Sequence, residues 1–131
     1  MIILVADDNA LSRELIRELL EGLGHVVLEA VNGRIALDLI RRNRPDIVFL
    51  DLQMPLQDGF SVIQALRNES PFQKLRVVAV TASAMMGDRE RAIAAGFDWY
   101  IAKPIDLGEV EAQVAVLASS QRFANRPSLP E

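Results

Sequence analysis

The sequence predicts an α/β domain built around a parallel sheet, and three observations carry that prediction. Five short apolar runs rich in β-branched residues recur along the chain, as expected of strands covered on both faces. Segments with apolar residues at helical spacing separate them, and each connection is short, as right-handed βαβ units require. Four of the runs also end at a polar or charged residue: Asp7-Asp8, Asp51, Thr81 and Lys103.

Ile2 to Ala6 is the first strand. A helix from about Ala10 to Leu23 follows, with Leu11, Leu15, Ile16, Leu19, Leu20 and Leu23 on its apolar face, Asp8 or Asn9 placed to cap it and Gly24 just past its end. His25 to Ala30 reads as the second strand. Asn32-Gly33 turns the chain into a second helix with Ala36, Leu37 and Ile40 inward, closed by Arg44-Pro45. The third strand, Ile47-Val48-Phe49-Leu50-Asp51, is four apolar residues ended by a carboxylate. The stretch from Leu52 to Gly59 is a loop, because Pro55 lacks an N–H and Gly59 tolerates backbone angles that other residues avoid. Phe60, Val62, Ile63 and Leu66 form the third helix, which Ser70-Pro71 breaks. Val77 to Val80 is the fourth strand, stopping at Thr81, and a fourth helix runs from about Asp88 to Ala95 with Gly96 as its stop. Trp99 to Ala102 is the fifth strand, and after Lys103-Pro104 a last helix from about Leu107 to Ser120 turns Val110, Val114 and Leu117 inward. The folded domain is therefore residues 1–120, and residues 121–131, with Asn125, Pro127, Ser128 and Pro130, read as a tail or the start of a linker.

Bulk properties exclude several classes. A chain of 131 residues, half hydrophobic and a quarter charged, makes one globular domain without staples. A formal charge of -4 argues against direct nucleic-acid binding. The one basic cluster, Arg41, Arg42 and Arg44, reads as an exposed helix end, where cations suit the dipole. There is no cysteine, so no disulfide framework or thiolate metal site is possible. No apolar run is long enough to span a bilayer and the N-terminus lacks a basic region or cleavage site, which points to a cytoplasmic protein without membrane insertion.

In an open parallel sheet the residues just after the strands meet at one edge, where such folds bind ligands. That edge collects Asp7, Asp8, Asp51, Thr81 and Lys103. Taken singly, each has a plain structural use as a helix cap, a turn former or solvated surface. Four successive strand ends carrying this set is something no cap or turn rule requires. Three crowded carboxylates repel one another, and a hard divalent cation such as Mg2+, which takes carboxylate, water and phosphate oxygens, relieves this. An aspartate is also a competent nucleophile towards phosphorus. Phosphoryl transfer then needs charge balanced on three equatorial oxygens. Mg2+, the Lys103 ammonium and the Thr81 hydroxyl with nearby backbone N–H groups would each take one.

These residues resemble a known family. Over about Ile2 to Ser120 the chain is similar to the receiver domain of two-component response regulators, of the chemotaxis-regulator type. Four stretches carry the resemblance: Leu4-Val5-Ala6-Asp7-Asp8-Asn9, Asp51-Leu52-Gln53-Met54-Pro55-Leu56-Gln57-Asp58-Gly59, Val80-Thr81-Ala82 and Tyr100-Ile101-Ala102-Lys103-Pro104. It implies a flavodoxin-like sheet of order 2-1-3-4-5 with helices on both faces. Asp51 would accept a phosphoryl group from a phosphohistidine of a histidine kinase or phosphotransfer protein. Asp8, Asp51 and the backbone carbonyl of Gln53 would ligate Mg2+, with Asp7 acting through water, while Lys103 and Thr81 contact the phosphoryl oxygens. The Lys103-Pro104 peptide is expected to be cis. Tyr100, whose spacing alone suggests core packing, becomes a switch aromatic that turns inward as Thr81 moves, with Ala82 leaving room. The output surface for a downstream target would be the fourth helix, fifth strand and fifth helix, the chain being a monomer or a phosphorylation-dependent dimer. Such a domain catalyses its own phosphorylation and dephosphorylation but is not a turnover enzyme.

The segment Ala84-Met85-Met86-Gly87-Asp88 resembles the longer loop of cell-division single-domain regulators and of hybrid-kinase receivers, with Met residues available for core filling or an adaptable contact. Gln57 stands where the family often has Met, a difference expected to affect surface only. Gln53 and Ser83 occupy positions that tune hydrolysis in the family, and neither is a strong base, so slow phosphoryl loss is expected. Two rivals fare worse. An aspartate-nucleophile phosphohydrolase needs an acid two residues after the nucleophile, where this chain has Gln53. A flavodoxin-like cofactor binder needs an uncharged phosphate loop after the first strand, where Asp7-Asp8 would repel phosphate. His25, without an acidic or nucleophilic neighbour at useful spacing, is a surface or packing residue, and the phosphohistidine must come from a partner.

Overall fold

In a computed structural model, which describes residues 1–82 and 87–124, five strands alternate with five α-helices. They are β1 (Ile2–Ala6), α1 (Ala10–Gly22), β2 (Val26–Ala30), α2 (Gly33–Asn43), β3 (Ile47–Asp51), α3 (Gly59–Arg67), β4 (Arg76–Thr81), α4 (Asp88–Ala95), β5 (Trp99–Ala102) and α5 (Leu107–Ala124). All strand pairings are parallel and the sheet order is β2-β1-β3-β4-β5. The chain order reverses direction between β1 and β3, which places the ends of those two strands at the crevice where such sheets take ligands.

Alternation along the strands divides the core in two. Leu4, Ala6, Val48, Leu50, Val77 and Ala79 pack beneath α2, α3 and α4, against Ala36, Ile40, Val62, Ile63, Leu66 and Ala92. Ile3, Val5, Ile47, Phe49, Val78, Val80 and Ile101 face the other way, against Ile16 and Leu20 of α1 and Val110, Val114 and Leu117 of α5. The central strands β1, β3 and β4 are thus buried on both faces up to their C-terminal ends.

Several expectations need correction. Leu11, Leu15 and Leu23 are 64%, 40% and 44% exposed, so the buried row of α1 is Ile16 and Leu20. Gly59 does not have an unusual backbone; the left-handed residue in that loop is Leu56, at φ 69°. A Cβ on Gly59 would lie 2.7 Å from the Asp51 carbonyl oxygen and 2.8 Å from the Leu52 Cα, so close approach excludes a side chain there. The backbone carbonyl of Gln57 packs against Gly33 in the same way, leaving no space for a Cβ there, while the Gln57 side-chain amide donates to the Ser61 hydroxyl at 3.1 Å on the exposed surface. Helix α5 passes the expected boundary at Ser120 and continues to Ala124. The rest of the expected tail, residues 125–131, lies outside the described residues, as do Ser83 and Met85-Met86.

Candidate functional site at the strand ends

Each acidic residue is delivered by a strand. β1 ends at Ala6, so Asp7 and Asp8 follow at the sheet edge, and the Asp7 N–H donates to the Ala30 carbonyl at 3.0 Å, continuing the β1–β2 ladder. Asp51 is the last residue of β3, paired in register with Val80. Thr81 ends β4 and Lys103 follows β5, where its N–H donates to the Thr81 carbonyl at 2.7 Å. The Lys103-Pro104 peptide is cis.

Asn9, not Asp8, caps α1, its side chain accepting from the Ser12 N–H at 2.9 Å. Asp8 is therefore not committed to the helix, and it is exposed while Asp7 and Asp51 are buried. The Lys103 ammonium reaches both buried acids, 3.3 Å from Asp7 Oδ1 and 3.2 Å from Asp51 Oδ2. Asp7 Oδ1 also accepts from the Asn9 N–H at 2.8 Å, and Asp51 Oδ1 from the Gln53 N–H at 3.0 Å. Asp7 Oδ2 lies 3.1 Å from the ammonium but not in hydrogen-bonding geometry, and it is buried without a hydrogen-bond partner. A charge-pair distance alone does not satisfy its lone pairs.

This crowding shifts the titrations. Burial, reinforced by the negative charge of Asp7, pushes the Asp51 carboxyl from 3.8 up to about 6, with the Gln53 N–H and Lys103 pulling the other way. Burial alone would lower the Lys103 ammonium, but its hydrogen bond to Asp7 and the charges of Asp51 and Asp7 outweigh this and leave it raised. One ammonium thus serves two buried carboxylates.

Carboxylate oxygens of Asp7, Asp8 and Asp51 all lie within 4.8 Å of one another. An all-oxygen set with one orphaned buried oxygen fits a hard divalent cation such as Mg2+. Beside it a cleft of about 210 Å³ between the β3–α3 loop and α4 is lined by Leu52, Gln53, Asp58, Phe60, Thr81, Asp88 and Arg91. Tyr100 is half-buried against the α2–α4 side of the core, where burial and the charge of Asp88 raise its phenol. Above neighbouring Trp99, the Arg89 guanidinium sits 4.8 Å from the ring centroid, joining α4 to β5. The sequence did not single out Arg13, which donates to the Asp7 carbonyl at 2.9 Å and pairs with Glu29. A cation one turn into a helix opposes the dipole, and that was the available hint that it has an acidic partner.

Fold and site together define a doubly wound α/β domain whose strand ends gather an acidic cluster fitted to a divalent cation. Comparison with known proteins narrows this: the family model described as the response regulator receiver domain matches residues 3–115, and the chain belongs to that family. It is 39% identical over 105 residues to the polar-differentiation response regulator DivK of Brucella anthropi, covering 80% of this chain and 85% of that protein. Among solved structures, the receiver domain of the Francisella response regulator 1452 superposes with a TM-score of 0.85 at 28% identity, over 91% of this chain and 97% of that one. The receiver domain of the sensor histidine kinase PA1611 from Pseudomonas aeruginosa PAO1 does so with a TM-score of 0.82 at 30% identity, over 90% and 97%. That protein is described with a magnesium ion coordinated in its active-site cleft. The chain is accordingly a receiver domain of two-component signalling. Among the described residues no helix is long and apolar enough to cross a membrane.

Proposed function

We propose that Asp51 is the phosphoacceptor of this receiver domain. The observation that carries the reading is the shared ammonium: Lys103 holds a buried carboxylate whose neighbour, Asp7 Oδ2, still lacks a hydrogen-bond partner. In the transfer, an Asp51 oxygen forms a bond to phosphorus as the bond from phosphorus to the imidazole nitrogen of a partner kinase or phosphotransfer protein breaks, leaving an acyl phosphate and a free histidine. Asp8, Asp51 and the Gln53 carbonyl would hold Mg2+, with Asp7 acting through water. When bound, the ion neutralises charge on the transferred oxygens. Lys103 takes a second oxygen and the Thr81 hydroxyl a third.

Thr81 and Tyr100 then form the switch. Movement of the Thr81 hydroxyl towards the phosphoryl group frees space that the Tyr100 ring enters, altering the surface of α4, β5 and α5 offered to a downstream target. Gln53 offers no strong base to a hydrolytic water, so the acyl phosphate is lost slowly. The receiver unit is placed at residues 1–120, and α5 carries the chain a further turn to Ala124.

Incubation with acetyl phosphate and Mg2+, followed by intact mass, tests the assignment. Wild type is expected to gain one phosphoryl group and Asp51→Asn none, with Trp99 fluorescence changing only in wild type because Arg89 over the ring reports on α4. Equal labelling of Asp51→Asn, or labelling without metal, overturns it.

A further inference from the structure

We propose that Arg13 is a positioning residue for the metal-holding end of the site, working through the peptide that joins Asp7 to Asp8. The assignment rests on the reading of Asp7 and Asp8 as the residues that hold Mg2+. Arg13 Nη1 donates to the Asp7 carbonyl oxygen at 2.9 Å, while its Nε donates to Glu29 Oε1 at 3.0 Å. Glu29 lies in β2, paired in register with Val5, so the anchor belongs to the sheet and not to the helix. Its second oxygen accepts from Arg17 Nη1 at 2.8 Å, which fixes the carboxylate's rotation. On the other side of the same residue, the Asp7 N–H is held by the Ala30 carbonyl. The Asp7 backbone is therefore gripped at both ends, and the plane of the Asp7–Asp8 peptide is set by the sheet.

That grip matters because Asp8 is exposed and does not cap the helix, so its carboxylate is aimed by its backbone. A planar peptide whose oxygen is fixed leaves few orientations for the residue that follows. The guanidinium fork suits this task, since its donors have fixed relative geometry, so that anchoring one on Glu29 aims another at the Asp7 carbonyl, a direction that a point-like ammonium on a flexible stem does not impose. The helix gains nothing from a cation in its first turns, where the dipole disfavours it. Groups that orient metal ligands are worth about 10-fold to 100-fold in metal affinity.

Charge and geometry predict opposite signs, which makes the assignment testable. Arg13 acting only as a nearby cation would repel the metal, so removing it would tighten binding. Arg13 acting as a positioner would loosen binding when lost. The experiment titrates wild type, Arg13→Gln, Arg13→Lys and Glu29→Gln with Mn2+, following the free-ion electron paramagnetic resonance signal, and records thermal unfolding of each without metal. About 10-fold weaker Mn2+ binding is expected in all three variants. Tighter binding by Arg13→Gln, or wild-type affinity in Arg13→Lys, overturns the proposal. So does a lowered unfolding midpoint with unchanged Mn2+ affinity, which would make the cluster merely structural. If wild type takes up no Mn2+, or Asp8→Asn binds it as wild type does, the metal site itself fails and this assignment with it. That failure is distinct, because it appears before any Arg13 or Glu29 variant is compared.

Discussion

The two ends of the sheet carry buried charge arranged in contrasting ways. At the strand C-termini, two buried carboxylates share Lys103 and one oxygen is left without a hydrogen bond. At the opposite end, Arg67 of α3 donates to the Gly96 carbonyl at 3.0 and 2.7 Å, to the Phe72 carbonyl at 2.8 Å and to Asp98 Oδ2 at 3.2 Å. Asp98 Oδ2 also accepts from the Val77 N–H at 2.8 Å, closing the knot across β4 and the start of β5. The knot is satisfied from within the chain and fastens α3, α4 and the sheet together. The acid cluster is left short of positive charge, and that shortage is what a divalent cation relieves. The polar groups of the knot find partners within the chain, whereas the orphaned Asp7 oxygen calls for one from outside it.

The largest effect that could break this contrast is at the knot. Arg67→Ala leaves two carbonyls and a carboxylate short of donors and is expected to cost about 3 kcal/mol in urea unfolding, while phosphorylation of Asp51 from acetyl phosphate persists. Loss of phosphorylation in a still-folded Arg67→Ala would show that the two ends are not separable. A smaller effect is the pH dependence of the metal-free protein. The folded Asp51 carboxyl is raised to about 6, so its contribution to stability is fully present below its ordinary value of 3.8 and is lost as pH rises through 6. His25 works in the opposite sense, because burial and the N-terminal charge lower it, and stability falls as it is protonated. The difference between wild type and Asp51→Asn isolates the Asp51 part, expected to be on the order of 2 kcal/mol between pH 4 and 7. Parallel pH profiles for the two proteins would contradict the burial argument. The smallest effect is at the surface, where Arg41 of α2 pairs with Glu69 but remains half exposed. Solvent screening should hold Arg41→Ala within about 0.5 kcal/mol by the same urea assay, and a knot-sized loss would blur the distinction between surface and buried pairs.

Much of the site could be read before any coordinates. Parallel topology turns a position at the end of a strand into a position in space, so Asp7, Asp51, Thr81 and Lys103 were legible once the strands were found. Helices with a strong stop, such as α4 before Gly96, were bounded well. What stayed hidden depends on register and on what lies beneath a helix. Glu29 meets Arg13 only because β2 pairs with β1 in one register. Leu11 and Leu15 have helical spacing but stay exposed beside the buried Ile16 and Leu20, and spacing alone cannot report which apolar row the core covers. Gly59 signalled a turn, yet its reason is the Asp51 carbonyl packed against it. Helix α5 continues past Ser120 because Gln121, Arg122 and Phe123 contain no breaker, a weaker cue than the prolines that follow.

The central claim is that the strand-end cluster is held electrostatically short until a cation arrives. The most direct measurement is urea unfolding of wild type and Asp51→Asn at neutral pH, with and without saturating Mg2+. Without the ion, Asp51→Asn should be the more stable, since it removes one of two buried carboxylates competing for Lys103. With Mg2+, wild type should gain stability by linkage and the advantage of the variant should shrink or reverse. A variant less stable than wild type without metal, or equal stabilisation of both by Mg2+, would contradict the account.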